Sequence, residues 1–380
     1  MKLFRSDNET ENSDLEAKII RDKNKVVVIS TNSSIQSEIC SILKMHNIGK
    51  VVSKKQYINE FREDETTRDA GWYIVDIESE KDLSIINDII VMGIPNDVMY
   101  VLIGDTDSIT FSSELLKFGA RYLYKNTQLG SVVDIILNSK GKSVDRISLN
   151  VSILGCKGGC GNTTIASGLF SSIDKFISAP VLYIQGGSGS RDLDLISSEN
   201  LGISIQEAKI QKTSSTKSVK IDSEVVRFDY DNPVYQQYNI NIFDHNISRA
   251  SPEELEIVFN RTNVFVLIVG NNFSSFRTAK KIIDEYKKFE LRTKSRPKRI
   301  IICINEYTVR TSRDKFSRED IEDFLERKVD MYLPNINSDK RAKEFNEELN
   351  TLNSLIFAKE IKDKESRKGL FSWFKILSKS

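Results

Sequence analysis

Residues 155–164 read Gly155-Cys156-Lys157-Gly158-Gly159-Cys160-Gly161-Asn162-Thr163-Thr164, a glycine-rich loop that decides the fold of the second half of the chain. Before it, the apolar run of residues 147–154 predicts a buried strand, and after it the apolar spacing of residues 165–170 predicts a helix. Glycines allow successive backbone N–H groups to turn toward one anion, and a helix N-terminus adds the positive end of its dipole. Strand, glycine loop and helix in this order therefore predict a phosphate-binding α/β domain.

Further apolar runs in the second half of the chain alternate with helical patterns. They predict strands at residues 181–184, 240–243, 264–269 and 299–304, and a shorter one near residues 329–333. Such alternation is typical of a parallel sheet with helices on both faces. Residues 209–225 are rich in Ser, Thr and Lys, and they are predicted to be a surface excursion from this sheet.

The first half of the chain shows the same alternation, with buried strands predicted at residues 26–29, 72–75, 99–103 and 121–124. The expected fold class is α/β, with two doubly wound parallel-sheet domains. Residues 1–20 are polar and acidic, and the segment at residues 139–146 is interpreted as a linker. We divide the chain into a disordered tail at 1–20, a first domain at 21–140, a phosphate-binding domain at 145–360 and a basic amphipathic tail at 361–380.

The bulk composition of the 380 residues argues against several classes of protein. The 55 basic and 54 acidic residues leave a net charge of +1, which argues against nucleic acid as a partner because such proteins carry a broad basic surface. The four cysteines and two histidines form no disulfide framework or zinc pattern, and Cys156 and Cys160 are interpreted as packing residues of the loop. No signal peptide and no run of membrane-spanning length is found, so a reduced, cytoplasmic location is expected.

The glycine loop resembles the deviant Walker A motif of the ParA/MinD family of P-loop ATPases, whose pattern is Lys-Gly-Gly-any-Gly-Lys-Thr/Ser. Lys157 matches the family's signature lysine, which reaches the nucleotide of the partner subunit in a dimer. Thr163 matches the hydroxyl that binds magnesium. The resemblance implies ATP and Mg²⁺ as cofactors and a homodimer. It also implies a nucleotide cradle made by Lys157, Gly158, Gly159, Cys160, Gly161, Asn162, Thr163 and Thr164.

Two positions that this family needs for hydrolysis differ here. Asn162 stands where the family has the Walker lysine that contacts the β- and γ-phosphates, and an asparagine carries no charge. Gln185 ends the strand at which the family has an Asp that positions the attacking water. Asp192 and Asp194, further on, are interpreted as solvated loop carboxylates. The chain is therefore expected to be at most a weak ATPase.

Other matches to the family extend toward the C-terminus. Asp244 closes a predicted strand at the Walker B position, where a carboxylate binds magnesium through water, although a helix cap would explain it too. Lys157 and Asp244 are the candidate catalytic residues. Asn305 matches the residue that reads the adenine edge, but the usual following Arg is Glu306. Residues 264–281 are similar to a segment of the pilus-assembly branch of the family, which includes TadZ and CpaE proteins.

Residues 25–138 resemble a response-regulator receiver domain, and TadZ and CpaE proteins carry a degenerate receiver at this place. Asp76 lies at the phosphoacceptor position, and Lys125 matches the invariant lysine. The acidic pair that holds magnesium in a receiver is replaced by Ser-Thr-Asn at residues 30–32, and Gly104 replaces the Ser or Thr switch residue. Asp76 and Lys125 are therefore interpreted as a degenerate receiver site, in a domain used for docking and dimerisation.

Residues 369–379 change character after a charge-rich linker. On a helix, one face would be apolar and aromatic and the opposite face basic: Leu370, Trp373, Phe374 and Leu377 against Lys368, Lys375 and Lys379. This pattern is typical of a short helix that lies in a membrane interface, and MinD has a similar tail. A helix docked on the protein's own surface or on a partner would show the same pattern.

The function that the resemblance implies is that of a TadZ/CpaE-like factor, which localises and assembles a Tad (Flp, type IVb) pilus secretion system. Such a protein would bind ATP, dimerise, hydrolyse slowly or not at all, and lie against the inner membrane at a cell pole. Its partners would be the secretion ATPase or the inner-membrane platform. Three alternatives stay open: an active, cycling ParA/MinD-type ATPase, a two-component response regulator that uses Asp76, and a scaffold with an empty loop.

Overall fold

The computed structural model describes residues 22–61, 63–117, 119–138, 148–177, 179–187, 193, 209–222, 228–293, 298–306 and 316–357. The described chain forms two compact units, with the main boundary between Ser148 and Leu149. The short segments Ser178–Pro180 and Gln236–Asn239 are also assigned to the first unit. The two predicted tails, the linker at 139–146, Asp192 and Asp194 lie outside the described residues. In the part of the chain that is described, no helix is both long and apolar enough to cross a membrane.

The first unit contains one five-stranded parallel sheet. Its strands are β1 (Asp22–Ile29), β2 (Lys50–Lys54), β3 (Ala70–Asp76), β4 (Met99–Gly104) and β5 (Arg121–Tyr124). Its helices are α1 (Ser33–Met45), α2 (Leu83–Gly93), α3 (Ile109–Lys117) and α4 (Ser131–Asn138). The strand order is β2-β1-β3-β4-β5, the doubly wound order of flavodoxin-like folds, in which ligands bind at the carboxyl ends of β1 and β3.

The strands of this sheet are apolar on both faces because helices cover both sides. Successive residues of a strand point to opposite faces, so β1 and β3 each contribute to two separate cores. One core contains Val27, Ile29, Tyr73 and Val75, and the other contains Val26, Val28, Trp72 and Ile74. Helix α1 begins after Asn32, whose side chain accepts hydrogen bonds from the N–H groups of Ser34 and Ile35.

The second unit contains an eight-stranded sheet. Its strands are β6 (Leu149–Gly155), β7 (Val181–Gln185), β8 (Ile210–Lys212), β9 (Lys217–Ile221), β10 (Ile240–Asn246), β11 (Val264–Gly270), β12 (Arg299–Asn305) and β13 (Met331–Leu333). Its helices are α5 (Asn162–Ser172), α6 (Pro252–Arg261), α7 (Phe273–Thr293), α8 (Arg318–Leu325) and α9 (Asp339–Phe357). The order is β13-β12-β11-β6-β10-β7-β9-β8, and all neighbours are parallel except β8 with β9. The predicted α/β fold class is confirmed.

The prediction of a surface excursion at residues 209–225 is wrong. Residues 210–221 instead add β9 and β8 to the edge of the sheet, where Lys217 and Lys220 are buried. Lys217 Nζ lies 2.7 Å from Asp174 Oδ2 and 5.1 Å from the centre of the Phe170 ring. Lys220 Nζ is likewise held, 2.6 Å from a carboxylate oxygen of Asp222. Lysines can be buried in a strand when ion pairs and aromatic faces replace their water, which composition alone does not reveal.

Candidate phosphate-binding site

The glycine loop connects β6 to α5 and ends in a helix N-terminus that carries no side-chain cap. Gly161 is the N-cap residue, with a left-handed φ of 83°, and Gly159 has a φ of 74°. A side chain is disfavoured at both positions because L-residues rarely adopt these angles. A Cβ added at Gly159 would meet no atom within 4 Å, so the loop is open there. The first N–H groups of a helix lack intrahelical partners by geometry, and helix N-termini of this kind commonly bind anions.

The side chain of Asn162 turns into the sheet. Its Nδ2 donates to the backbone oxygen of Ile153 at 3.1 Å and of His245 at 3.3 Å, and it makes a short hydrogen bond to Asp244 Oδ1. The amide therefore ties the first residue of α5 to the ends of β6 and β10. Residue 162, where the resemblance to the Walker A motif places a charged lysine, is a short, neutral and anchored side chain.

Asp244 lies near the end of β10 and is 1% exposed. Oδ1 accepts from Asn162, and Oδ2 accepts from the Tyr183 hydroxyl at 3.1 Å. Sequence reasoning missed Tyr183, which it treated only as an apolar strand residue. The available signal was its position two residues before the end of β7, because a polar tip there reaches the carboxyl ends of the neighbouring strands.

The two predicted magnesium ligands, Thr163 and Asp244, come from adjacent parts of the site, since α5 follows β6 and β6 pairs with β10. Both residues are buried. Magnesium is commonly held by one or two protein oxygens together with substrate phosphates, and this pair fits that donor set. Among the described residues, no group of three or more His, Cys, Asp or Glu side chains could hold a metal ion.

The remaining loop residues separate into exposed and buried sets. Lys157, Gly158, Gly159 and Thr164 are exposed, and the described chain offers Lys157 no ion pair. Cys156 and Cys160 are at most 1% exposed, and burial raises the pKa of both thiols. The structure thus places both cysteines in the packing beneath the loop, as predicted.

Asn305 supports the loop from β12. Its Nδ2 donates to the backbone oxygen of Cys160 at 2.8 Å, and a Cβ at Gly161 would collide with the same nitrogen. Gly161 is thus required for two reasons, its left-handed backbone and the close approach of this amide. The adenine contact expected of Asn305 stays a prediction.

Gln185 ends β7 and pairs in register with Asp244 of β10. Its side chain is fully buried, and neither amide atom has a hydrogen-bond partner among the described residues. The next residue, Gly186, donates its N–H to Asp244 O at 2.9 Å, and a Cβ there would collide with the His245 ring. The backbone at this strand end is therefore fixed, while the Gln185 amide stays unused.

The predicted receiver-like residues of the first unit, Asp76 and Lys125, are held by the protein's own side chains. Asp76 is buried at the end of β3, and its Oδ2 accepts from the Ser30 hydroxyl at 2.7 Å. Its Oδ1 accepts from the Glu78 backbone N–H at 2.9 Å. Lys125 makes its ion pair with Asp105, at 2.7 Å. The structure thus gives Asp76 neutral partners where a phosphoacceptor needs bound magnesium.

The space around Gly104, where the resemblance places a receiver's switch residue, is also filled. A Cβ added there would lie 2.9 Å from Glu78 O and 3.0 Å from the Tyr122 hydroxyl. That hydroxyl donates to Thr106 O and accepts from Thr106 N, so its position is fixed. A Ser or Thr side chain has no room at residue 104 in this arrangement.

No protein-family model matches the chain, and no curated protein matches it. Solved structures do match, each over a little more than half of this chain. The ParA family ATPase of Chlorobium tepidum TLS aligns at 16% identity and a TM-score of 0.36, over 56% of this chain and 91% of that chain. The Aquifex aeolicus MinC:MinD complex aligns at 16% and 0.41, over 57% and 98%. An ATP complex of a Cyanothece McdA variant aligns at 10% and 0.43, over 57% and 99%. Identities and TM-scores this low support no conclusion about function. The functional argument therefore rests on the residues of the site.

Proposed function

We propose that the second unit binds ATP with Mg²⁺ at the glycine loop. The bound nucleotide would control dimerisation and would be hydrolysed slowly or not at all. One observation carries the proposal: Asn162 is anchored to Asp244 and to two strand-end carbonyls, which leaves an open glycine cradle without its lysine. Backbone N–H groups, the α5 dipole and the Thr163 hydroxyl supply affinity for phosphate. Magnesium would supply charge neutralisation between Thr163 and Asp244.

Slow or absent hydrolysis follows from what the site lacks. Transferring a phosphoryl group requires positioned charge around the terminal phosphate, and one such group is worth orders of magnitude in rate. The neutral Asn162 replaces a cation, and the neutral Gln185 replaces a carboxylate at the end of β7. Binding depends less on these two groups than turnover does, because only turnover needs stabilisation of the transition state.

The cellular role that we propose is that of a TadZ/CpaE-like localisation and assembly factor for a Tad pilus secretion system. It rests on the resemblance of residues 264–281 to that branch and on a receiver-like first unit whose site is closed. The first unit would dock the secretion ATPase or the inner-membrane platform. The tail at 369–379 would hold the dimer at the inner-membrane surface, since two weak anchors bind a membrane far better than one.

Calorimetric titration of the full chain with ATP and Mg²⁺, with phosphate release measured in parallel, tests the proposal. We expect saturable binding with release close to the uncatalysed rate. Steady turnover that falls in Lys157→Ala would favour a cycling ATPase, and the absence of binding would leave a scaffold. Acetyl phosphate labelling checks the regulator alternative: wild type and Asp76→Ala should label equally little.

A further inference from the structure

We infer that Gln185 is the residue with which this chain recognises the terminal phosphate of a nucleoside triphosphate, an assignment that rests on the nucleotide binding proposed above. Its amide would donate to a terminal phosphate oxygen, so that the chain distinguishes ATP from ADP with a neutral side chain. This role differs from that of the carboxylate which the ParA/MinD family has at the position, because an amide carries a donor that a carboxylate lacks.

The first observation is the unused amide. Gln185 is fully buried, and both its Nε2 and its Oε1 lack a hydrogen-bond partner within the described chain. Buried polar atoms in native proteins nearly always have partners, so each exception requires an explanation. A bound phosphate oxygen would accept from Nε2 and so explains the unpaired donor, whereas the acceptor Oε1 would need a hydrogen bond from water.

The second observation is the direction of the side chain. Residues two apart in a strand point to the same face, so Gln185 shares its face with Tyr183. The Tyr183 ring packs 5.4 Å from the Phe170 ring of α5, and its hydroxyl reaches Asp244. Gln185 therefore points to the α5 side of the sheet, beside Asp244 with which it pairs in register.

The third observation is the order of the strands. The glycine loop follows β6, Asp244 lies on β10, and Gln185 ends β7, and these are three consecutive neighbours of one parallel sheet. Ligands of such sheets bind outside the carboxyl ends of the strands. With the inner phosphates of a bound nucleotide at the glycine loop beside β6, the terminal phosphate is the part that would extend toward Gln185 on β7, the second strand from β6.

The chemistry favours the terminal phosphate over other ligands. The site offers backbone N–H groups, threonine hydroxyls and amide side chains, and its described cation, Lys157, is exposed at the edge of the loop. Donors of this kind bind anionic oxygen through hydrogen bonds to a charged acceptor, which are stronger than neutral ones. Asn162 donates its Nδ2 to Asp244 and the strand ends, and Asn305 donates its Nδ2 to Cys160 O. Gln185 is therefore the amide of this site whose donor has no partner in the described chain.

The test compares ATP and ADP affinities by calorimetry in the full chain carrying Gln185→Met, with Gln211→Met on β8 as the matched control. We expect Gln185→Met to weaken ATP binding at least about tenfold, the cost of a hydrogen bond to a charged group, with ADP binding unchanged. The melting temperature without nucleotide should not fall, because the amide has no partner to lose. Gln185→Glu, which keeps the length and adds a negative charge, should weaken ATP more than ADP as well.

The outcomes separate this assignment from the proposal beneath it. An unchanged ratio of ATP to ADP affinity in Gln185→Met and Gln185→Glu, with wild type still binding ATP, overturns the assignment alone. A wild type that binds neither nucleotide overturns the proposed function and the assignment together. A lower melting temperature with an unchanged affinity ratio would show Gln185 to be a packing residue.

Discussion

Residue 162 joins three parts of the candidate site through one amide. Asn162 Nδ2 donates hydrogen bonds at the ends of β6 and β10. The Asp244 carboxylate, which accepts one of these bonds, accepts a second hydrogen bond from the Tyr183 hydroxyl. A buried carboxylate is stable only when donors replace its water. Asn162 therefore has a structural task in the free protein, which explains how a loop without its lysine can keep one shape.

Replacing Asn162 by Ala tests this task. Ile153 O, His245 O and Asp244 Oδ1 would lose a donor at a buried place, and we expect the free energy of unfolding to fall by about 1–3 kcal/mol. Urea denaturation of the nucleotide-free protein measures the change. Thr164→Ala, an exposed neighbour in the same turn of α5, should change stability by less than about 0.5 kcal/mol. Equal stability of Asn162→Ala and wild type would remove the structural role.

At the carboxyl ends of β3 and β4, as at Asn162, groups of the protein itself occupy the place where a ligand would bind. The chain after β3 crosses Gly104 so closely that Glu78 O accepts from Asp105 N at 2.8 Å. Tyr122 of β5 fills the remaining space, and the phenol is desolvated, which raises its pKa. The end of this sheet, where a receiver would bind magnesium and phosphate, is packed with the protein's own groups.

Gly104→Ser, which restores a receiver's switch hydroxyl, tests the closed packing. The new Cβ would collide with Glu78 O and the Tyr122 hydroxyl, and backbone shifts of this kind cost about 1–3 kcal/mol. Thermal unfolding followed by circular dichroism should show the loss. Gly130→Ser is the matched control, because a Cβ there meets no atom within 4 Å. Equal losses in both variants, or none, would contradict the packing.

The elements that sequence predicted well are those whose signals are local. The strand, glycine loop and helix at residues 149–172 follow from apolar spacing and from Gly159 and Gly161. Strand β9 was missed because Lys217 and Lys220 are buried through partners distant in sequence, such as Asp174. The Tyr183–Asp244 hydrogen bond was missed for the same reason, since strand order is not a local property of the chain.

The two α/β units of the molecule differ at the carboxyl ends of their parallel strands. In the first unit Asp76 is satisfied internally, whereas in the second the glycine loop is open and Gln185 is unused. This contrast is the reason why our proposal places nucleotide binding in the second unit and docking in the first. Lys157 lies in the open loop of the second unit. It is an exposed cation with no ion pair in the described chain, so it is available to a partner.

If Lys157 reaches the nucleotide of a second copy, ATP should join two chains of 43.3 kDa. Light scattering after gel filtration should show a monomer without nucleotide and twice that mass with ATP and Mg²⁺. Lys157→Ala should stay monomeric while its ATP affinity by calorimetry falls by less than about tenfold, because the cradle in each chain is intact. Lys343→Ala, an exposed lysine of α9, should dimerise as wild type does. A Lys157→Ala protein that still doubles its mass with ATP would show that the lysine does not act across the dimer, and the ParA/MinD mode of association would have to be given up for this chain.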